Sequence, residues 1–232
     1  IQSFYFKFKF QISKYQISKK EKLNKKGYNA FVSGMLALAN KDFKKATIES
    51  NKVHSLLKDN PSLSLLLRSE VYKIEKKSLK LNEVYENMIN NELTKTLGYR
   101  GLMEQYLKAQ DYHHAFIYAE KIFNENPNVE RIYETIVSII SKTSNWQQLI
   151  YISENAYKKK IIDKDTYQIN KSVGFFEVAK IKNLANTKEA GILIQKAMKL
   201  RKGFVPYIKF YIDILIEEKK YEYAKKYLKK IW

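Results

Sequence analysis

Lys41-Asp42-Phe43-Lys44-Lys45-Ala46 is the stretch on which the fold turns. It runs as a polar turn, an aromatic, two polar residues, then a small or apolar residue. The order returns as Gln110-Asp111-Tyr112-His113-His114-Ala115, as Ser144-Asn145-Trp146-Gln147-Gln148-Leu149 and as Lys219-Lys220-Tyr221-Glu222-Tyr223-Ala224. A weaker copy is Ala185-Asn186-Thr187-Lys188-Glu189-Ala190, and a degenerate one ends at Leu81. Counted at the last position of each copy, the steps are 35, 34, 34, 41 and 34 residues. A period near 34 belongs to a helix-turn-helix repeat. In such a unit the aromatic opens the second helix and packs back on the first, and the small residue three positions on lets the two helices cross closely. One hairpin cannot bury its own apolar face, so units must stack. The step of 41 reads as an insertion around residues 159–166.

The scarcity of glycine (7) and proline (3) agrees, because a sheet-based fold of 232 residues needs more turn-formers. Apolar residues, at 45%, are enough for a core. The expected fold is all-α: a right-handed TPR-like (tetratricopeptide) α-solenoid of about six helix-turn-helix repeats over residues 27–232. Tyr99, Tyr106, Ala115, Ala119 and Pro127 fall where the tetratricopeptide pattern wants an aromatic, a tyrosine, two small or apolar residues and a closing proline. Gly34 and Ala46 fall at the close-approach positions of the first unit. Helices are expected over 27–39, 43–57, 62–76, 79–90, 95–108, 112–124, 129–142, 146–158, 165–184, 188–200, 205–218 and 221–231, with Asn60-Pro61 and Asn126-Pro127 closing repeats.

Residues 1–26 read differently. Phe4-Tyr5-Phe6-Lys7-Phe8-Lys9-Phe10 interleaves aromatics with lysine, and Lys14, Lys19, Lys20, Lys22, Lys25 and Lys26 follow, with Glu21 the only acid. One reading is a basic tail. The other is a membrane-proximal segment, its rings at the headgroup level and its lysines on anionic lipid. Alternation over Phe6–Ile12 also permits a short strand. No apolar run reaches the ~20 residues that cross a bilayer. The chain opens on Ile1 and not on methionine, so it is expected to be a piece of something longer, with any anchor upstream.

The net charge of +19 favours anionic partners. An AT-rich coding sequence would also raise lysine. Arginine occurs only at Arg68, Arg100, Arg131 and Arg201, and its scarcity argues against nucleic-acid recognition, which leans on guanidinium forks. With no cysteine, disulfides, thiol catalysis and cysteine-type zinc sites are excluded. There is no Gly-rich phosphate loop. The adjacent His113 and His114 would point about 100° apart on a helix and cannot share a metal. No catalytic set, cofactor or metal site is read. The candidate site is a partner-binding groove on the first helices of successive units: Arg100, Glu104 and Lys108 at i, i+4, i+8 in the third unit, and Arg131, Ser138 and Lys142 in the fourth. These could clamp a carboxylate or an acidic peptide; equally, they could pair among themselves on a solvated face. Tyr28, Phe31 and Met35 occupy the same positions in the first unit and could be covered by the basic tail.

Several motifs together resemble the HemY family, bacterial inner-membrane TPR proteins associated with haem biosynthesis. They are Gly27-Tyr28-Asn29-Ala30-Phe31-Val32-Ser33-Gly34-Met35-Leu36-Ala37-Leu38-Ala39 leading into Lys41-Asp42-Phe43; Asn60-Pro61-Ser62-Leu63-Ser64-Leu65-Leu66-Leu67; Leu97-Gly98-Tyr99-Arg100-Gly101-Leu102, close to the family's Leu-Gly-x-Arg-Gly-Leu; and Asn145-Trp146. Lys41 and Ser144 stand where the family commonly has glycine. The resemblance implies a membrane-spanning region upstream, a repeat domain on the cytoplasmic side of the bacterial inner membrane, and a scaffold for protein partners, haem-pathway enzymes among them, with anionic membrane touched through residues 1–26. The alternative is a basic helical solenoid that binds nucleic acid or another acidic ligand.

Overall fold

The computed structural model describes residues 2–129 and 131–229, with side chains from residue 16 onward. These residues form twelve helices and no strand: α1 (Gln2–Ala39), α2 (Phe43–Leu56), α3 (Pro61–Ile74), α4 (Ser78–Ile89), α5 (Lys95–Lys108), α6 (Tyr112–Glu125), α7 (Ile132–Thr143), α8 (Trp146–Lys158), α9 (Lys164–Asn183), α10 (Thr187–Leu200), α11 (Val205–Glu217) and α12 (Tyr221–Leu228). From α2 onward each helix begins within three residues of its expected start.

The exception is α1. A helix was expected from residue 27, but it runs unbroken from Gln2, so neither a loose tail nor a strand over 6–12 exists. The reason is propensity: residues 2–26 hold no glycine or proline, and their eight lysines and three glutamines sustain a helix without an apolar period to announce it. Continuous helix also removes the idea that this segment folds back over Tyr28 and Met35, which are about half exposed. The side chains of Phe4 to Phe10, read as a headgroup contact, lie outside the described side chains.

Among the described side chains of α1, burial begins at Gly27. Gly27, Ala30, Gly34 and Ala37, spaced three and four apart, are all buried, and α2 and α3 lie on this small-residue stripe. A Cβ at Gly34 would come within 2.6 Å of a Leu67 methyl on α3, and one at Gly27 would collide with Leu57. Val53, Leu57 and Leu67 join Ala30 in one core layer; Ala46 and Val71 join Ala37 in the next.

The turns within hairpins share one geometry. Lys41, Lys76, Gln110, Ser144 and Lys219 are left-handed, with φ between 53° and 60°. Each stands two residues before a second helix, so the backbone repeats the sequence register. Three of these turns carry the same hydrogen-bond pair, with Asp42 N to Ala37 O at 2.8 Å, Lys77 N to Tyr72 O at 3.1 Å and Lys220 N to Leu215 O at 2.8 Å closing the wider ring. That is the Schellman pattern, for which glycine is the preferred residue. Asp42, Asp111 and Asn186 then cap the helices that follow by accepting backbone N–H bonds at 3.1 Å. The weaker copy, α9 to α10, has no left-handed residue.

The step of 41 has a different origin from the one expected. The α8–α9 connection is short, and α9 itself has 20 residues where α3 and α5 have 14. The additional residues lengthen a helix, because Lys164 to Asn183 contains no breaker except Gly174, whose missing Cβ seats Ile150 of α8.

The chain divides into two compact units, Ile1–Ala109 with α1–α5 and Gln110–Trp232 with α6–α12. Within each, helices contact their sequence neighbours, the one-dimensional stacking of a TPR-like α-solenoid. In the second unit Ala190, Ile194 and Ala197 of α10 meet Tyr207, Tyr211 and Leu215 of α11. The buried Tyr207 and Tyr133 hydroxyls are satisfied by Ser172 and Ser153, both at 3.1 Å.

Two glycines separate close approach from free space. A Cβ at Gly98 would lie 2.7 Å from the Tyr85 carbonyl and 2.9 Å from Ile89 N, backbone atoms of α4 that cannot swing away, whereas at Gly191 it would meet only Ile214 Cγ2 at 3.7 Å. Gly98→Ala is therefore expected to destabilise the protein by about 1–3 kcal/mol through overpacking. Gly191→Ala is expected to stabilise it by up to about 1 kcal/mol through helix propensity. Urea denaturation of both variants measures the opposite signs.

Candidate functional site

The first-helix face of unit 1 holds a shallow cleft of about 130 Å³ between α3 and α5. Its positioning follows from the Leu97–Leu102 motif: Gly98 rests on the α4 backbone and Gly101 on the Tyr85 ring, so α5 lies close to α4 and turns Leu97, Arg100 and Glu104 outward. Glu70 and Lys73 of α3 stand across from them, joined by an ion pair of 2.7 Å. Burial works against the Lys73 ammonium, but its hydrogen bond to Glu70 and the nearby Tyr85 and Glu104 outweigh it and raise its pKa. Burial likewise raises the Tyr85 hydroxyl, with Lys73 opposing. Arg100 and Glu104 are thus brought together as expected from their spacing. No ion pair among the described residues joins Arg100, Glu104 or Lys108 to one another, and Lys108 is exposed in the last turn of α5.

The fourth-unit set does not assemble as a basic clamp. Arg131 is not on a helix face: it precedes α7 as its N-cap residue, with φ 58°. The helix α6 ends at Glu125 and α7 begins only at Ile132, with Pro127 between them. Ser138 does line a cleft, of about 520 Å³, with Tyr133, Glu134, Ile161, Asp163 and Asn170 among its walls. The carboxylates there have no Lys or Arg beside them in the lining. Asp163 is committed to capping α9 through Thr166 N at 2.7 Å, and that bond lowers its pKa. The Asn170 amide donates to the Tyr133 hydroxyl at 2.7 Å, fixing α9 against α7. Lys142 is exposed in the last turn of α7.

A third cleft, of about 610 Å³, was not read from the sequence. It opens among α2, α3 and α4 and is lined by His54, Ser64, Arg68, Tyr72, Lys80 and Asn87, among others. Its α3 residues occupy the face opposite the one that faces α5. Arg68 donates to the Tyr72 hydroxyl at 3.0 Å and contacts His54 Nδ1 at 3.3 Å. A guanidinium only donates, so Nδ1 is the acceptor and the imidazole is neutral with its proton on Nε2. Burial, then Arg68, then Lys58 lower the His54 pKa. The one mark it leaves in the sequence is that Arg68 is among only four arginines; nothing in the order of residues sets His54 and Asn87 beside it.

His113 and His114 contact edge to face at the start of α6, and His114 Nδ1 pairs with Asp111 at 2.7 Å. Among the described residues no three His, Cys, Asp or Glu side chains converge as a metal site, and no helix is long and apolar enough to cross a membrane.

No protein-family model matches the chain, and no curated protein matches it. Among solved structures it is similar to one described as the TPR2AB-domain:pHSP90-complex of yeast Sti1, with 14% identity over 88% of this chain and 89% of that one, and a TM-score of 0.44. Likeness at that level decides neither fold nor partner; the fold rests on the helices and turns described above.

Because the folded protein disfavours the charged His54, its contribution is present above the unfolded value near 6.5 and is lost as pH falls through the lower folded pKa. Lowering the pH from 7.5 to 5 should therefore reduce the Tm of the native protein more than that of His54→Gln. Equal shifts in a calorimetric pH series would contradict this assignment of charge.

Proposed function

We propose that this chain is a non-catalytic TPR-like scaffold that holds a partner protein on the cleft between α3 and α5. The observation that carries the reading is Arg100, exposed, without an ion pair among the described residues, and set beside the exposed Leu97 on a helix fixed by Gly98 and Gly101. A segment that offers a carboxylate to the guanidinium and an apolar side chain to Leu97 fits this pair. Glu104 adds a contact for a basic residue one turn further along α5. The motifs shared with the HemY family suggest haem-pathway enzymes as partners and the bacterial inner membrane as the place.

The first part of α1 supports a membrane-surface role. At 1.5 Å per residue, residues 16–26 extend about 16 Å with no buried side chain before packing at Gly27. Lys19, Lys20, Lys22, Lys25 and Lys26 are exposed along it. Among the described residues its one ion pair to the body, Lys20 with Asp59 at 2.7 Å, joins two well-exposed side chains and holds little. Such a basic rod suits anionic lipid, at about 1 kcal/mol per lysine near the surface.

Arg100→Glu should reduce capture of at least one membrane-extracted partner by about tenfold, the size of a lost charge-assisted contact, while the far-UV circular dichroism stays unchanged. An unchanged partner list in that pull-down sinks the proposed site. Independently, the chain should sediment with vesicles containing phosphatidylserine and not with neutral ones. Replacing Lys19, Lys20, Lys22, Lys25 and Lys26 by Gln should abolish that difference.

A further inference from the structure

We infer that the cleft among α2, α3 and α4 binds a phosphate group, presented by a small monoester or as the free anion, on the guanidinium of Arg68. The argument begins with unused donors. Arg68 offers five N–H donors and two atoms of the fork are engaged, with Tyr72 Oη at 3.0 Å and His54 Nδ1 at 3.3 Å. Its Nε is buried and has no hydrogen-bond partner among the described residues. A buried donor left unpaired is costly, and an incoming oxyanion removes that cost. No carboxylate pairs with this guanidinium among the described residues. The two contacts it does make, with the ring of Tyr72 also lying 5.6 Å away, hold it in one orientation before any ligand arrives.

The charge around it is unbalanced. Lys80 joins Arg68 in the lining, and Lys58 stands in the adjoining small cavity that shares His54, Pro61 and Ser64; Glu83 is the only acid. A dianion fits that surplus better than a monoanion. Amide groups add donors, while the Ser64 hydroxyl is spent on His54 Nδ1 at 3.2 Å. The Asn87 amide lies in the lining, and Asn91 accepts the Ser62 hydroxyl on Oδ1 at 3.1 Å, which leaves its amide nitrogen available. More donors gather here than the two oxygens of a carboxylate can use, while a phosphate has oxygens enough for them. At about 610 Å³ the cleft is larger than the anion alone, and Leu65 and Val84 offer apolar wall to a short organic group. In a chain that uses lysine almost throughout, an arginine fixed at the centre of such a cleft supplies the planar fork that an ammonium lacks. None of its lining residues belongs to the α3–α5 cleft, so this site stands apart from partner binding.

The test is titration calorimetry on the whole chain at constant ionic strength, with inorganic phosphate and with glycerol 3-phosphate. Saturable binding with Kd below about 1 mM is expected, weakened about tenfold or more by Arg68→Lys and unaltered by Arg100→Lys. Tighter binding of glycerol 3-phosphate identifies a monoester as the ligand; equal binding identifies the free anion. Absence of saturable heat with both compounds, or wild-type affinity in Arg68→Lys, overturns the proposal. If circular dichroism shows Arg68→Lys unfolded, Asn87→Asp takes its place: an exposed substitution that sets a negative charge against the anion, for which wild-type affinity is the overturning result.

Discussion

Close approach of paired helices is the constraint on which this structure rests. It is possible only where a side chain is missing or reduced to a methyl group, at Gly27, Ala30, Gly34 and Ala37 on α1, at Ala46 on α2, at Gly98 and Gly101 on α5 and at Gly174 on α9. Interiors are close-packed, so even one added carbon at such a point must displace a neighbour. The Gly101 position illustrates the coupling: the hydrogen there is what admits the ring of Tyr85, and that ring in turn fills the layer beneath Arg100. Short distances between helices then demand short turns. The left-handed residue at Lys41, Lys76, Gln110, Ser144 and Lys219 is the backbone's solution, used without glycine at every one of these five places.

With apolar and small residues turned inward, long side chains are turned outward, and the high positive charge becomes a property of the whole surface. Part of it is locally answered. Lys52 with Glu49, Lys73 with Glu70 and Lys180 with Glu177 pair at i, i+3, and Lys171 lies over Tyr167 and Phe175 while bridging to Glu154. Exposed pairs of this kind add little stability each. Many other lysines are exposed without such a pair, among them Lys19, Lys22, Lys25 and Lys26 of α1. Arg100, on the side of α5 that faces α3, and Arg68, on the opposite face of α3, stand out for their chemistry: each is a guanidinium where an ammonium would have supplied the same charge.

The first unit also joins two kinds of helix in one. In α1 the lysine-rich first part is held by propensity, with no buried residue among positions 16–26, while the part from Gly27 is held by packing. A helix of the first kind is stable only as an extension of the second, since an isolated helix of that length is marginal in water. The same element can therefore carry charge away from the body and still be aimed by the core.

What the amino-acid order determined alone was the periodic part: the repeat register, the turn positions, the close-approach residues Gly34 and Ala46, and the outward pair Arg100 and Glu104 on one helical face. Each depends on residues within about one repeat of each other, so local chemistry is sufficient. Tertiary structure decided the rest. Nothing in the order of residues separates a continued α1 from a tail, because helix propensity without apolar period looks the same as solvated chain. The surplus near residue 160 became seven more positions of register and a longer α9, not a loop, because packing against α8 and α10 rewards added helix. Arg131 left its predicted face because the connection after Pro127 sets its backbone left-handed. The Arg68 cleft was invisible for the simplest physical reason: His54, Arg68 and Asn87 lie on three helices, and only their stacking makes neighbours of them.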